Sequence, residues 1–170
     1  VSLVMSKVRL TPISASSLRT IPRIELNGVR LAVMLYLKIS EELRIPYSEV
    51  FFWTDSTTVL NYISSESGRF LRFVANRVAY IRTHTKVSQW RYVPSKMNIA
   101  DVLSRGTQNI SNFVKDLSWK EGPVFLKLPP EKWPKENVRP QSEEYAVELK
   151  KTFATASVES LEIGRASCRG

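Results

Sequence analysis

Three carboxylates in this chain stand in settings that can do chemistry. Glu25 lies at the start of a long apolar helical pattern, Asp55 follows a short apolar run, and Asp101 falls in the first turn of a short helical pattern. Each has an ordinary structural use. Glu25 and Asp101 can complement the positive end of a helix, and Asp55 can serve as an N-cap. As a set they offer more. A two-metal hydrolase needs several carboxylates converging on two divalent cations about 4 Å apart. One acid from a helix, one from a strand end and one from a later helix suit that need. Oxygen-only ligands point to Mg²⁺, a hard cation that keeps part of its water shell. Asp55 also sits where open α/β sheets place their sites, beyond the carboxyl end of a strand. The single cysteine, Cys168, excludes an internal disulfide and a cysteine-based zinc site.

The elements that must position these acids alternate between strand and helix, which argues for an α/β fold. Residues 2–10 carry Leu3, Met5 and Val8 among polar neighbours and read as a strand that ends at Pro12. Pro22 opens a helical pattern, and residues 24–43 bear apolar side chains on nearly every face, as expected of a central, buried helix. Residues 50–53 form the continuous apolar run of a buried parallel strand. Asp55 or Ser56 can cap the next helix, over 57–63. A further helix is expected from Gly68 to about Arg82, a strand over 89–93, and a short helix over 98–105 with Gly106 as its C′ residue. Residues 107–134 are a Pro- and Trp-rich extension expected to pack on the domain formed by 1–106. Residues 135–170 read as a polar, disordered tail.

The net charge of +9 is concentrated rather than spread. Between Arg69 and Ala100 there are seven basic residues (Arg69, Arg72, Arg77, Arg82, Lys86, Arg91 and Lys96) and no acidic one. A one-signed stretch inside a well-patterned domain is how a polyanion-binding surface looks, although a solvated basic face gives the same composition. No run of 18 apolar residues marks a membrane span. The first residues carry no signal-peptide pattern, and Val1 in place of Met reads as a chain cut from something longer.

Three segments together resemble a known family. Residues 22–26 (Pro-Arg-Ile-Glu-Leu), 53–56 (Trp-Thr-Asp-Ser) and 90–106, with its Asn98-x-Ala100-Asp101-x-x-Ser104-Arg105 signature, are similar to the ribonuclease H region of BEL/Pao-type LTR retrotransposon polyproteins. The likeness runs over roughly residues 1–134. It implies a ribonuclease H-like mixed sheet flanked by helices, and cleavage of the RNA strand of RNA–DNA hybrids by four carboxylates and two Mg²⁺ ions. Glu25, Asp55 and Asp101 match three of the four. The fourth belongs to a strand upstream, so the resemblance implies that the first two strands are missing and that the chain alone is a poor catalyst. Tyr92 stands where relatives often carry a histidine, and His84 does not match that position. The resemblance also implies nucleic-acid contacts from Arg69, Arg72, Asn76, Arg82, Arg91, Lys96 and Asn98. It further implies reverse transcriptase and integrase as polyprotein partners, and a cytoplasmic, virus-like-particle setting. Residues 162–170 resemble the translation of a sequencing-adapter oligonucleotide, which weakens any argument from Cys168.

Two other functions remain open on the sequence. One is a nucleic-acid-binding module that keeps the basic surface without hydrolysis. The other is an inert connector between polyprotein domains.

Overall fold

A computed structural model describes residues 3–9, 20–44, 49–66, 69–101, 121–135 and 143–149. The elements in chain order are α1 (Ile21–Leu43), β1 (Phe52–Thr54), α2 (Thr57–Ser64), α3 (Arg72–His84), β2 (Trp90–Tyr92) and α4 (Glu143–Val147), with single 3₁₀ turns between them. β1 and β2 pair in parallel, with Phe52 opposite Trp90, Trp53 opposite Arg91 and Thr54 opposite Tyr92. Val93 N–H donates to the Thr54 carbonyl at 3.0 Å and extends the ladder by one bond. The architecture is α/β with a small parallel sheet.

Strand alternation sets the two faces of this sheet. Phe52 points to the helices, where it stacks on Trp90 (centroids 4.6 Å apart) and meets Tyr36 of α1 edge-on at 5.5 Å. Phe51 and Trp53 point to the other side. There the described segment 121–135 packs, with Phe125 and Trp133 against Trp53 at 4.8 and 5.4 Å, and Trp133 also against Phe51 at 5.1 Å. The Trp90 indole N–H is satisfied by Thr85 Oγ at 2.9 Å, so burying this ring strands no donor.

Three expectations need correction. The segment 3–9 forms no strand and is exposed throughout. An alternating pattern becomes a strand only when a neighbour supplies the ladder, and no described residue pairs with it.

The second correction concerns which helix is central. α1 buries only Pro22, Leu26, Val29 and Val33, and leaves Ile21, Ile24, Met34 and Leu43 exposed. A helix of 23 residues is about 35 Å long, and its neighbours cover one side of it. The caged helix is α2, whose Thr58, Val59, Leu60, Tyr62 and Ile63 are all buried against α1, α3, α4 and both strands.

The third correction concerns the tail. Within 135–170, residues 143–149 fold back onto the core rather than standing free. Tyr145 stacks on Tyr62 at 5.4 Å and meets Phe70 edge-on at 5.7 Å. Leu149 bridges Phe70, and Leu71 N–H donates to the Glu148 carbonyl at 2.7 Å. The strap is locked by a bidentate ion pair, Arg23 Nε to Glu148 Oε1 at 2.5 Å and Nη2 to Oε2 at 2.9 Å. The Glu148 side chain is buried, at 2% exposure, and that of Arg23 is partly buried, at 13%. Hydrogen bonding to Glu148 raises the Arg23 pKa, and outweighs the burial that opposes it. The polar composition of this segment carries no sign of the pairing, because the partner lies 125 residues away.

Residues 136–142 and 150–170 of the expected tail lie outside the described residues, as does the stretch 102–120, which holds the end of the expected short helix with Gly106 and the first part of the extension. Among the described residues no helix is long and apolar enough to cross a membrane.

Removing one partner of a buried ion pair leaves the other charge uncompensated. Glu148→Ala should therefore lower the unfolding free energy by about 3–5 kcal/mol, read as a fall in the urea midpoint at constant m. The Arg23→Met/Glu148→Leu double variant should regain most of that loss. A loss under about 1 kcal/mol for Glu148→Ala would equate the pair with a surface contact and refute the lock.

Candidate active site

The site begins at the exit of β1. Thr54 is the last strand residue and is buried, and its Oγ accepts from the Ser56 N–H at 3.2 Å. That bond turns the chain within two residues and lets Ser56 cap α2. The Ser56 hydroxyl accepts from Val59 N–H at 3.2 Å, and the Ser56 carbonyl accepts from Leu60 N–H at 3.1 Å. Of the two capping candidates in the sequence, Ser56 takes the role, and Asp55 is left half-buried at the turn.

The same hydroxyl donates to Glu25 Oε2 at 2.6 Å. Ser56 thus ties the α1 carboxylate to the residue next to Asp55, across 31 positions of sequence. Glu25 is one turn inside α1, beyond the first-turn positions that complement a helix N-terminus. Its half-buried setting at the sheet edge follows from the packing of α1 on α2. Serine at this point was legible as a cap. Its second role, orienting Glu25, had no signal in the local sequence.

Asp101 follows β2 in the chain. Parallel pairing makes β1 and β2 leave the sheet on one side. From there the chain passes Pro94, makes a 3₁₀ turn over Ser95–Met97, and enters a helical stretch at 99–101. Asp101 N–H donates to the Asn98 carbonyl at 3.0 Å, and the residue is half-buried. Among the described residues no three of His, Cys, Asp and Glu are grouped so as to hold a metal ion. Glu25 and the Asp55 turn are joined through the Ser56 hydroxyl.

The predicted nucleic-acid residues divide into two kinds. Arg69, Arg72 and Asn76 are exposed at the start and on the outer face of α3, and Arg91 and Lys96 are exposed near β2. Arg91 lies over the Phe51 ring at 5.3 Å, and Asn98 is half-buried. Arg82 is different. Its Nε and Nη2 donate to the Ile63 carbonyl at 2.8 and 2.6 Å, and Nη2 also donates to the Ser65 carbonyl at 2.6 Å. These carbonyls end α2, so Arg82 is the C-terminal counterpart of the Ser56 cap. Tyr92 is half-buried at the exit of β2, and His84 is exposed with Nδ1 2.8 Å from the Tyr80 carbonyl.

The described residues thus give an α/β domain with acids near the carboxyl ends of two parallel strands and a basic outer face. The family described as Pao retrotransposon-like RNaseH-like domain matches residues 1–56. That segment is similar to the ribonuclease H-like region of Pao-type retrotransposons. It contains Glu25, Asp55 and Ser56, and ends before α2, α3, β2 and Asp101. No curated protein and no solved structure matches the chain.

The Arg82 geometry has a direct test. Arg82→Lys keeps the charge but cannot reproduce the fork, so it should lower stability by about 1.5–3 kcal/mol, measured by chemical unfolding. A variant as stable as the parent would show that the α2 terminus does not depend on the guanidinium.

Proposed function

We propose that this chain binds RNA–DNA hybrid and forms part of a ribonuclease H-type site that hydrolyses the RNA strand with Mg²⁺. The observation that carries the reading is the Ser56 bridge, which brings the Glu25 carboxylate beside the Asp55 turn at the carboxyl edge of β1. The match of residues 1–56 to the Pao-type family supports the same assignment. The donor set fits the cation. Mg²⁺ is commonly held by one or two carboxylates with water completing its shell, and Glu25 and Asp55 are a pair of that kind, with Asp101 following β2 in the chain. When bound, the cation would polarise a phosphoryl oxygen and supply a nucleophilic water.

The protein's own residues do the rest. Ser56 fixes the direction of the Glu25 carboxylate, and the buried Thr54 turn fixes the backbone at Asp55. Arg69, Arg72, Asn76, Arg91, Lys96 and Asn98 lie outside the core and are available to the phosphate backbone. Contacts of that type position a duplex without reading its sequence. Reverse transcriptase and integrase segments of the same polyprotein are the partners this reading implies.

The test is cleavage of a labelled RNA–DNA hybrid in Mg²⁺, compared with chelator. Weak, metal-dependent loss of the RNA strand is expected from the chain, and Asp55→Asn or Glu25→Gln should abolish it while hybrid binding persists. Cleavage that survives both substitutions would refute the assignment of these acids. A hybrid bound without any metal-dependent cleavage would favour the binding-module alternative.

A further inference from the structure

α1 and α3 lie side by side and run in the same direction, as three contacts show. Arg23 lies over Phe73 (5.0 Å to the ring centroid), Arg77 Nε donates to Asn27 Oδ1 at 2.6 Å, and Arg30 lies over Tyr80 at 4.9 Å. The partners advance together along both helices at the i, i+4, i+7 spacing of a single helix face. The seam is therefore lined by Arg23, Asn27 and Arg30 on one side and by Phe73, Arg77 and Tyr80 on the other. His84 extends it by one turn, its ring 4.5 Å from that of Tyr80.

A seam between packed helices normally buries apolar side chains. Here Leu26, Val29, Val33, Val74, Val78 and Ile81 of the two helices do join the core, but the edge of the seam holds three guanidiniums and one matching carboxylate. Glu148 is bonded to Arg23 in bidentate fashion. Among the described residues no carboxylate forms an ion pair with Arg30 or Arg77. Arg77 is half-buried, with its guanidinium 3.4 Å from the Phe73 centroid, and its Nη1 donates to the Phe73 carbonyl at 3.1 Å. Burial lowers its pKa, and repulsion from Arg30 and then Arg23 adds to the effect. Cation–π contact with aromatic rings pre-orders both groups, while most of their N–H donors remain uncommitted. Concentrated, oriented and uncompensated guanidinium is the chemistry of a phosphate site.

We propose that the α1–α3 seam is a second phosphate-contacting surface for nucleic acid, with Arg30 and Arg77 as its contacting residues. It rests on the nucleic-acid reading above and adds to it a surface distinct from the outer face of α3 that carries Arg72 and Asn76. From Phe73 to His84 the seam is roughly 16 Å long, enough to follow several successive phosphates of one strand. The aromatic plates beside the guanidiniums favour a nucleic acid over an acidic protein segment, since bases as well as phosphates find partners there.

The test uses the full 170-residue chain and a labelled RNA–DNA hybrid, with affinity measured from about 50 to about 200 mM salt. Arg30→Gln should reduce the slope of log K against log salt by about one, and Arg30→Gln/Arg77→Gln by about two. Circular dichroism melting establishes which variants fold. Arg30 has only its Tyr80 stacking to lose, so Arg30→Gln alone decides the matter if Arg77→Gln unfolds. A folded Arg30→Gln variant with the parental slope overturns the seam proposal and leaves the carboxylate site untouched, because cleavage is read separately. A parent chain that binds no nucleic acid at low salt overturns both. A polyglutamate peptide that binds in an Arg30-dependent way, while the hybrid does not, would assign the seam to an acidic protein partner and overturn the nucleic-acid proposal.

Discussion

The caging of α2 is the constraint on which the other elements depend. A helix of eight residues has no independent stability in water, so this one exists only because its surroundings complete it. Tyr62 and Ile63 are fully buried among α1, α3 and α4, and a helix end buried there without partners would strand several backbone groups. Ser56 satisfies the amino end and Arg82 the carboxyl end. Both caps come from residues that also hold neighbouring elements in place. Ser56 joins α2 to Glu25 of α1, and Arg82 joins α2 to α3. Each therefore fixes a helix end and an interhelical contact at once, and the carboxylate edge inherits its geometry from this arrangement.

The positive charge of the chain is divided by the same packing. Arg82 and Arg23 are consumed internally, one by peptide carbonyls and the other by Glu148. Arg69, Arg72, Arg91 and Lys96 are exposed. Arg30 and Arg77 fall between these groups, being half-buried, stacked on rings and without a carboxylate partner among the described residues. A net charge of +9 thus overstates the surface available to a polyanion, since desolvated arginines bonded to protein acceptors contribute little to counterion release. Guanidinium suits all three uses because its planar fork serves carbonyls, carboxylates, phosphates and aromatic faces alike.

The strap 143–149 shows how far a composition-based expectation can stray. A segment poor in apolar residues lacks the area to order itself, yet Tyr145 and Glu148 find places prepared by residues far upstream. The stacking of Tyr145 on Tyr62 closes the aromatic side of the α2 cage, and Glu148 neutralises the guanidinium that would otherwise sit buried beside Phe73. Two well-placed side chains are enough when the receiving surface is rigid.

By itself the sequence determined the local elements and singled out the candidate acids. Pro22 at a helix start, the apolar run before Asp55, the Thr54-Asp55-Ser56 turn and the helical spacing of α3 are encoded over short windows, where turn chemistry and periodicity act directly. Glu25, Asp55 and Asp101 stood out as candidates as a set, since each alone has an ordinary structural use at a helix start or turn. Tertiary structure decided what depended on distant partners. It left 3–9 unpaired, because a strand needs a neighbour's hydrogen bonds. It made α2 rather than α1 the central helix, because burial depends on what surrounds a helix and not on its apolar content. It turned Arg82 inward to carbonyls that only the α2–α3 packing presents, and it gave the Ser56 hydroxyl a second partner in Glu25. In each case the deciding interaction joins residues that no local pattern relates, so its energy is absent from any window of sequence and enters only when the chain closes on itself.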